Sequence, residues 1–186
     1  HGRGAAIGMG CAIRMAEDVR AFAIMNAMAF SDFSLPWRLQ ICKIPWIGPQ
    51  IVLHSKIFFH GMENCSQAVK DGYMAPFRDK SSEYPLLRFI KDIPCAPEDD
   101  SALSMFEIES GLWILRDKPM LMIWGGRDWL YGEECMEKWF QYFPNADVFR
   151  IKSAGRYLNE DAPEEIYALL KQFLTRVESQ SPPEQT

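Results

Sequence analysis

Four short stretches collect side chains able to hold a ligand or move a proton. They are His1 to Gly4, Asn26 to Phe30, the GGRD string that ends at Asp128, and SAGRYLNED, which carries Arg156. Ligands of an open parallel sheet bind beyond the carboxyl ends of its strands, and these stretches are read as those ends. Other chemistry is weakly supported. Ser66 and Ser153 have no neighbouring base in sequence, so neither reads as an activated nucleophile. The five cysteines, Cys11, Cys42, Cys65, Cys95 and Cys135, form no CxxC and no Cys/His ligand spacing, which favours reduced thiols. Cys11 sits in a small-residue helix, where burial is expected rather than nucleophilic work. His54 and His60 are six residues apart and fall on opposite sides of a helix, so they do not read as one metal site. No metal and no cofactor are expected.

The elements that must position these loops follow from the apolar pattern. Residues 4–17 mix glycine and alanine with Ile7, Met9 and Ile13, which suits a helix packed tightly on a sheet. VRAFAIMN (19–26), PMLMIW (119–124) and DVFRIK (147–152) are short apolar runs of the kind buried in a parallel sheet, and Asn26 would end the first. Helices are expected over 132–143 and 163–177, the latter with proline in its first turn. Between 27 and 117, prolines divide an aromatic-rich stretch into helical pieces, read as 36–44, 49–61, 66–73, 85–91 and 101–115. The division is therefore a core segment 1–28, a helical cap 29–117, a second core segment 118–177 with two strand-helix units, and a polar, flexible tail 178–186.

Composition bounds the function. The chain of 186 residues is 48% apolar, enough for a sizeable core. A net charge of −5 with interspersed signs argues against nucleic acid, whose partners carry a basic face. No apolar run reaches the ~18 residues a spanning helix needs and no signal peptide is visible, so a soluble, cytoplasmic protein without membrane contact is expected. The first residue is His rather than Met, and the sequence reads as the C-terminal portion of something longer or processed.

Particular strings sharpen this α/β pattern. HGRGAAIGMG is similar to the nucleophile elbow HDWGGAIGMG of haloalkane dehalogenases and their relatives. DGYMAPF, RFIKDIP, RDKPMLMIWGGRD and SAGRYLNEDAPEEI resemble that group's AGYLAPY, RFVRDIP, RDKPMLICWGMKD and DAGHYVLEDAPEEI. The order matches as well: elbow, cap insertion, acid after one strand, histidine after the next. The chain thus resembles the C-terminal part of an α/β-hydrolase, haloalkane dehalogenase-like and including β-lactone decarboxylase-like hydrolases.

The resemblance implies a mechanism in which an elbow aspartate attacks carbon and a histidine-activated water hydrolyses the ester, with a second acid orienting the histidine. It also implies that two of the three parts are replaced here. The nucleophile slot is Gly2, the histidine slot is Arg156, and only the acid slot, Asp128, keeps its residue type. The slot for a halide-holding tryptophan is Arg3, whose amide would supply one oxyanion donor; the companion donor belongs to a loop upstream of the elbow.

Each position keeps a plainer reading. Asp128 is the triad acid or a carboxylate capping the next helix; Arg156 pairs with Asp128 or is solvated; Arg3 faces an anionic ligand or has drifted. His1 precedes the slot and is a base or a disordered terminus. Trp37, Trp46, Phe58, Phe59, Trp113 and Trp129 line an apolar pocket or fill the core. The leading reading is a hydrolase relative inactive in covalent hydrolysis and at most binding a small apolar or anionic ligand. One alternative is an active hydrolase or decarboxylase using Asp128 and water. The other is an interaction module that docks on an N-terminal half of the same fold, supplied from outside this sequence.

Overall fold

A computed structural model describes residues 1–32, 35–54, 61–62, 65–77 and 79–180, which fall into two compact units. The first unit comprises His1–Ala29 and Ser110–Thr186. Its centre is a parallel sheet in the order β1-β2-β3, formed by Phe22–Met25, Met120–Gly125 and Asp147–Ile151. Phe22 pairs with Met120 and Leu121 with Asp147, which brings the carboxyl ends of all three strands level. Every residue of β2 is buried, as its unbroken apolar run requires of a strand covered on both faces.

Helices cover that sheet. On one side Leu121 and Ile123 pack with Ile151, Ala154, Leu158 and the Ile166, Phe173 and Val177 stripe of α9 (Pro163–Gln180). α7 (Glu133–Tyr142) buries Cys135, Met136 and Trp139, and the Trp139 indole donates to the carbonyl of Ala27 at 2.9 Å. α1 (Gly4–Arg14) buries Ala5, Ala6, Met9 and Ala12. The close packing expected of its small residues falls on the alanines, since a Cβ at Gly4 or Gly8 would meet nothing within 4 Å. Cys11, expected to be buried, is exposed because residues 5, 9 and 12 define the inner face and 11 lies off it.

The second unit, Phe30–Glu109, is helical. Its helices are α2 (Trp37–Lys43), α3 (Ile47–His54), α4 (Gln67–Met74), α5 (Lys80–Lys91) and α6 (Ala102–Gly111), the last running on into the first unit. Leu39, Cys42, Val52, Leu87 and Ile90 form its buried face, while Ser66 caps α4 by accepting from the amide of Val69 at 3.3 Å. Among the described residues no helix is long and apolar enough to cross a membrane.

Candidate functional site

The site forms where the three strands end, in the first unit. Gly2 joins the sheet through a parallel bridge to Ala27, donating to the carbonyl of Asn26 at 3.0 Å, and then turns into α1 with φ of +58°. That left-handed turn sets position 2, itself buried, at the head of the helix, and glycine holds it without strain. Asn26, at the end of β1, has φ of +39° and is fully buried. Its side chain bridges the other two strand ends: Oδ1 accepts from the Gly125 amide and Nδ2 donates to the Gly155 carbonyl, each at 2.8 Å. Gly125 has no room for more, since a Cβ there would lie 2.6 Å from the Gly155 carbonyl and 2.8 Å from that of Ala154.

Asp128 follows β2 in a tight turn and its side chain is 0% exposed. Oδ1 accepts from the amides of Leu130 at 2.8 Å and Tyr131 at 3.3 Å, so the carboxylate closes its own turn and does not cap α7. Its other oxygen faces the Arg156 guanidinium, Nη1 to Oδ2, at 3.4 Å. Burial pushes the Asp128 carboxyl above its ordinary value, and the Arg156 charge is the largest influence pulling it back.

Arg156 sits in the loop after β3, between two pins. The Asp161 carboxylate, on the short α8 (Leu158–Asp161), accepts from the Gly155 amide at 2.7 Å, and the Arg156 carbonyl lies 2.9 Å from Nε2 of His1. The guanidinium lies under the Tyr131 ring, 4.6 Å from its centroid, and Nη1 also reaches the Asn26 carbonyl at 3.4 Å. With 17% of the side chain exposed, it is a partly wetted cation on a buried floor. Its Nη2 stands 3.0 Å from where a Cβ on Gly2 would be, so the guanidinium borders the space a side chain at position 2 would enter.

Arg3 is half-buried beside this floor. Its charge, with that of Arg156, opposes the upward push that burial gives the Tyr131 hydroxyl. Gly2, Arg3, Asp128 and Arg156 thus come together from three separate parts of the chain. Tyr131 and Asn26 complete the setting; Asn26 heads one of the four loops singled out in the sequence, where its bridging side chain is given no role of its own, and Tyr131 is not singled out. The one signal for Asn26 is its place at the end of an apolar strand, and Tyr131 carries none.

Other candidates lie elsewhere. Trp37 and Trp46, expected to line a pocket or fill the core, are 66% and 89% exposed, and Trp113 packs on Tyr142 at 5.0 Å. Phe58, Phe59 and His60 lie outside the described residues, and His54 closes α3. Among the described residues no three His, Cys, Asp or Glu side chains gather as a metal site.

No family model matches the chain. It is 30% identical over 189 residues to a cis-3-alkyl-4-alkyloxetan-2-one decarboxylase of Shewanella oneidensis, covering 96% of this chain and 59% of the relative. It is 28% identical over 131 residues to a haloalkane dehalogenase of Psychrobacter cryohalolentis, covering 68% of this chain and 42% of the relative. The chain therefore spans less than two thirds of these relatives' length. The crystal structure of haloalkane dehalogenase DbeA from Bradyrhizobium elkani superposes with a TM-score of 0.81 at 20% identity, over 95% of this chain and 65% of that one.

Proposed function

Starting from a chain that belongs to the α/β-hydrolase superfamily, with the C-terminal architecture of its haloalkane dehalogenase-like members, we infer that its catalytic floor has been converted from covalent chemistry to anion binding. The carrying observation is the guanidinium of Arg156, paired with Asp128 at 3.4 Å and 3.0 Å from a Cβ placed on Gly2. Glycine has no atom with which to attack carbon. A guanidinium stays protonated at any working pH, so it cannot take a proton from water as the family's histidine does.

What the floor offers instead is positive charge. Arg156 sets a cation against a carboxylate whose ionisation burial resists, and the Arg3 charge also reaches Tyr131 on this floor. A planar oxyanion such as a short carboxylate suits a guanidinium fork, which donates two parallel N–H bonds. The test is paired. The natural full-length polypeptide should be silent across alkyl halides, epoxides, esters and β-lactones, and should bind short carboxylates in calorimetric titration with an affinity that Arg3→Ala weakens. Turnover lost on Asp128→Asn would refute the reading, and so would the absence of binding heat. Turnover regained by Gly2→Asp, Arg3→Trp and Arg156→His together would place the defect in these side chains.

One observation favours a second reading. A carboxyl raised by burial is a common property of general acids and bases, and Asp128 has it. Under this reading Asp128 and a water carry residual hydrolysis or decarboxylation, and the Asp128→Asn assay separates the two.

A further inference from the structure

The second unit holds a pair of reactive side chains far from that floor. Lys43 is the last residue of α2, and its ammonium has three neighbours within the unit. Nζ donates to the Ile93 carbonyl at 2.5 Å, lies 3.6 Å from Oδ2 of Asp99, and points at Sγ of Cys95 at 3.4 Å. The sulfur is held in place from its own backbone: the amides of Cys95 and Ala96 both donate to Asp99 Oδ2, at 2.6 and 3.1 Å. The carboxylate that steadies the loop is thus the one that anchors the amine. Cys95 is exposed and lines a cavity of about 600 Å³ with Pro94, Pro97, Leu103 and Phe106, which gives a small oxidant a path to the sulfur. Nitrogen and sulfur are at hydrogen-bond distance although 52 residues separate them in sequence.

We propose that Lys43 and Cys95 form a reversible covalent S–N bridge when the protein meets peroxide. Hydrogen peroxide first transfers oxygen to the thiol, giving a sulfenic acid and one water; sulfur is oxidised and the peroxide oxygen reduced. The Lys43 ammonium releases a proton to solvent, and the free amine attacks sulfur. The S–N bond forms as the S–O bond breaks, and the hydroxyl leaves as a second water with a proton from nitrogen. Sulfenic acids condense in this way with nitrogen already beside them, and the pairing here requires no large movement. The bridge ties the end of α2 to the loop after α5. Thiols return it to amine and cysteine.

Intact-mass analysis of the full chain after brief peroxide treatment, followed by tryptic mapping without reductant, tests the proposal. The expected result is a shift equal to the loss of two hydrogen atoms and a linked peptide pair containing Lys43 and Cys95. Trypsin should fail to cut after Lys43, and dithiothreitol should restore both. Cys42 adjoins Lys43, so the mapping includes an alkylating reagent: in the S–N bridge Cys42 stays a thiol and takes the label. Cys95→Ser and Lys43→Arg should each abolish the linked pair, arginine keeping the charge without a nucleophilic amine. A pair in which Cys42 is unlabelled, a pair that survives Lys43→Arg, or Cys95 left unreacted or ending as sulfinic or sulfonic acid without linkage would each overturn the proposal.

Discussion

Replacing Arg156 by methionine removes the guanidinium while keeping an unbranched stem under Tyr131, and the cost of doing so should depend on pH. The substitution breaks one ion pair, Nη1 to Oδ2 at 3.4 Å, between side chains 17% and 0% exposed. At an effective dielectric near 20, charges at that separation attract by about 5 kcal/mol before desolvation. Taking both ions from water cancels much of this, and one oblique hydrogen bond is weaker than a bidentate fork, so a pairwise coupling of about 1.5–3 kcal/mol is expected. Asp128 then limits the damage by taking up a proton. Its carboxyl already titrates above its ordinary value because of burial, and without the guanidinium the main influence holding it down is gone. Each unit by which its value stays below the ambient pH costs about 1.4 kcal/mol to protonate. Arg156→Met should therefore destabilise by about 2–4 kcal/mol near pH 7.5 and only about 1 kcal/mol near pH 5.

The sign follows from proton counting. A carboxyl whose folded value lies above its unfolded value binds more protons folded, so stability is greatest below the unfolded value and falls as pH rises through the folded one. For the parent this decline begins at the ordinary aspartate value of 3.8; in Arg156→Met it should continue to higher pH, and Asp128→Asn should remove it. Urea unfolding of the parent, both single variants and the double variant, at the two pH values, measures the cycle. A coupling under about 0.5 kcal/mol, or an Arg156→Met cost that is the same at both pH values, would mean that the guanidinium is solvated and does not share the floor with Asp128.

Substitutions at Asn26 and Gly125 probe the scaffold beneath the floor. Asn26→Ala leaves the Gly125 amide and the Gly155 carbonyl without their 2.8 Å partners and keeps a β-carbon at φ of +39° without the carboxamide that favours that conformation. Denaturant unfolding should show a loss of about 3–5 kcal/mol, of which Asn26→Gly recovers about 1. Gly125→Ala drives a methyl to within 2.6 Å of a backbone carbonyl and should cost about 3 kcal/mol, whereas Gly8→Ala, with nothing within 4 Å, should be neutral or mildly stabilising in the same assay.

Apolar runs make the sheet legible, since VRAFAIMN, PMLMIW and DVFRIK correspond to β1, β2 and β3 within a few residues, although only β2 is buried along its length and Ala23, Phe149 and Arg150 are exposed. Helix starts are less legible. The proline pattern puts Pro85 in a first turn, yet α5 begins at Lys80 and carries that proline inside it. Along α9 the polar residues after Val177 look like a tail, but an exposed face needs no apolar side chains and the helix continues to Gln180. The short α8 reads as loop because four residues carry no periodicity, although Asp161 at its end fixes Gly155. At the site, resemblance of strings locates Gly2, Arg3, Asp128 and Arg156. It does not supply Tyr131, whose ring meets the guanidinium only because the turn at Asp128 brings it there.

On the reading proposed for the floor, Gly2 and Arg156 are complementary in shape. A guanidinium is longer than an imidazole, and here its far nitrogen borders the space a side chain on position 2 would enter. Glycine leaves that space open and tolerates φ of +58°. An aspartate put back at position 2 alone would meet a cation at ion-pair distance, and a carboxylate neutralised in that way is a poor nucleophile. A histidine put back at 156 alone would face a glycine and have no ester to hydrolyse. On that reading neither Gly2→Asp alone nor Arg156→His alone should produce turnover, which a hydrolase assay of each single variant checks. Turnover from either single variant would count against the anion-binding proposal.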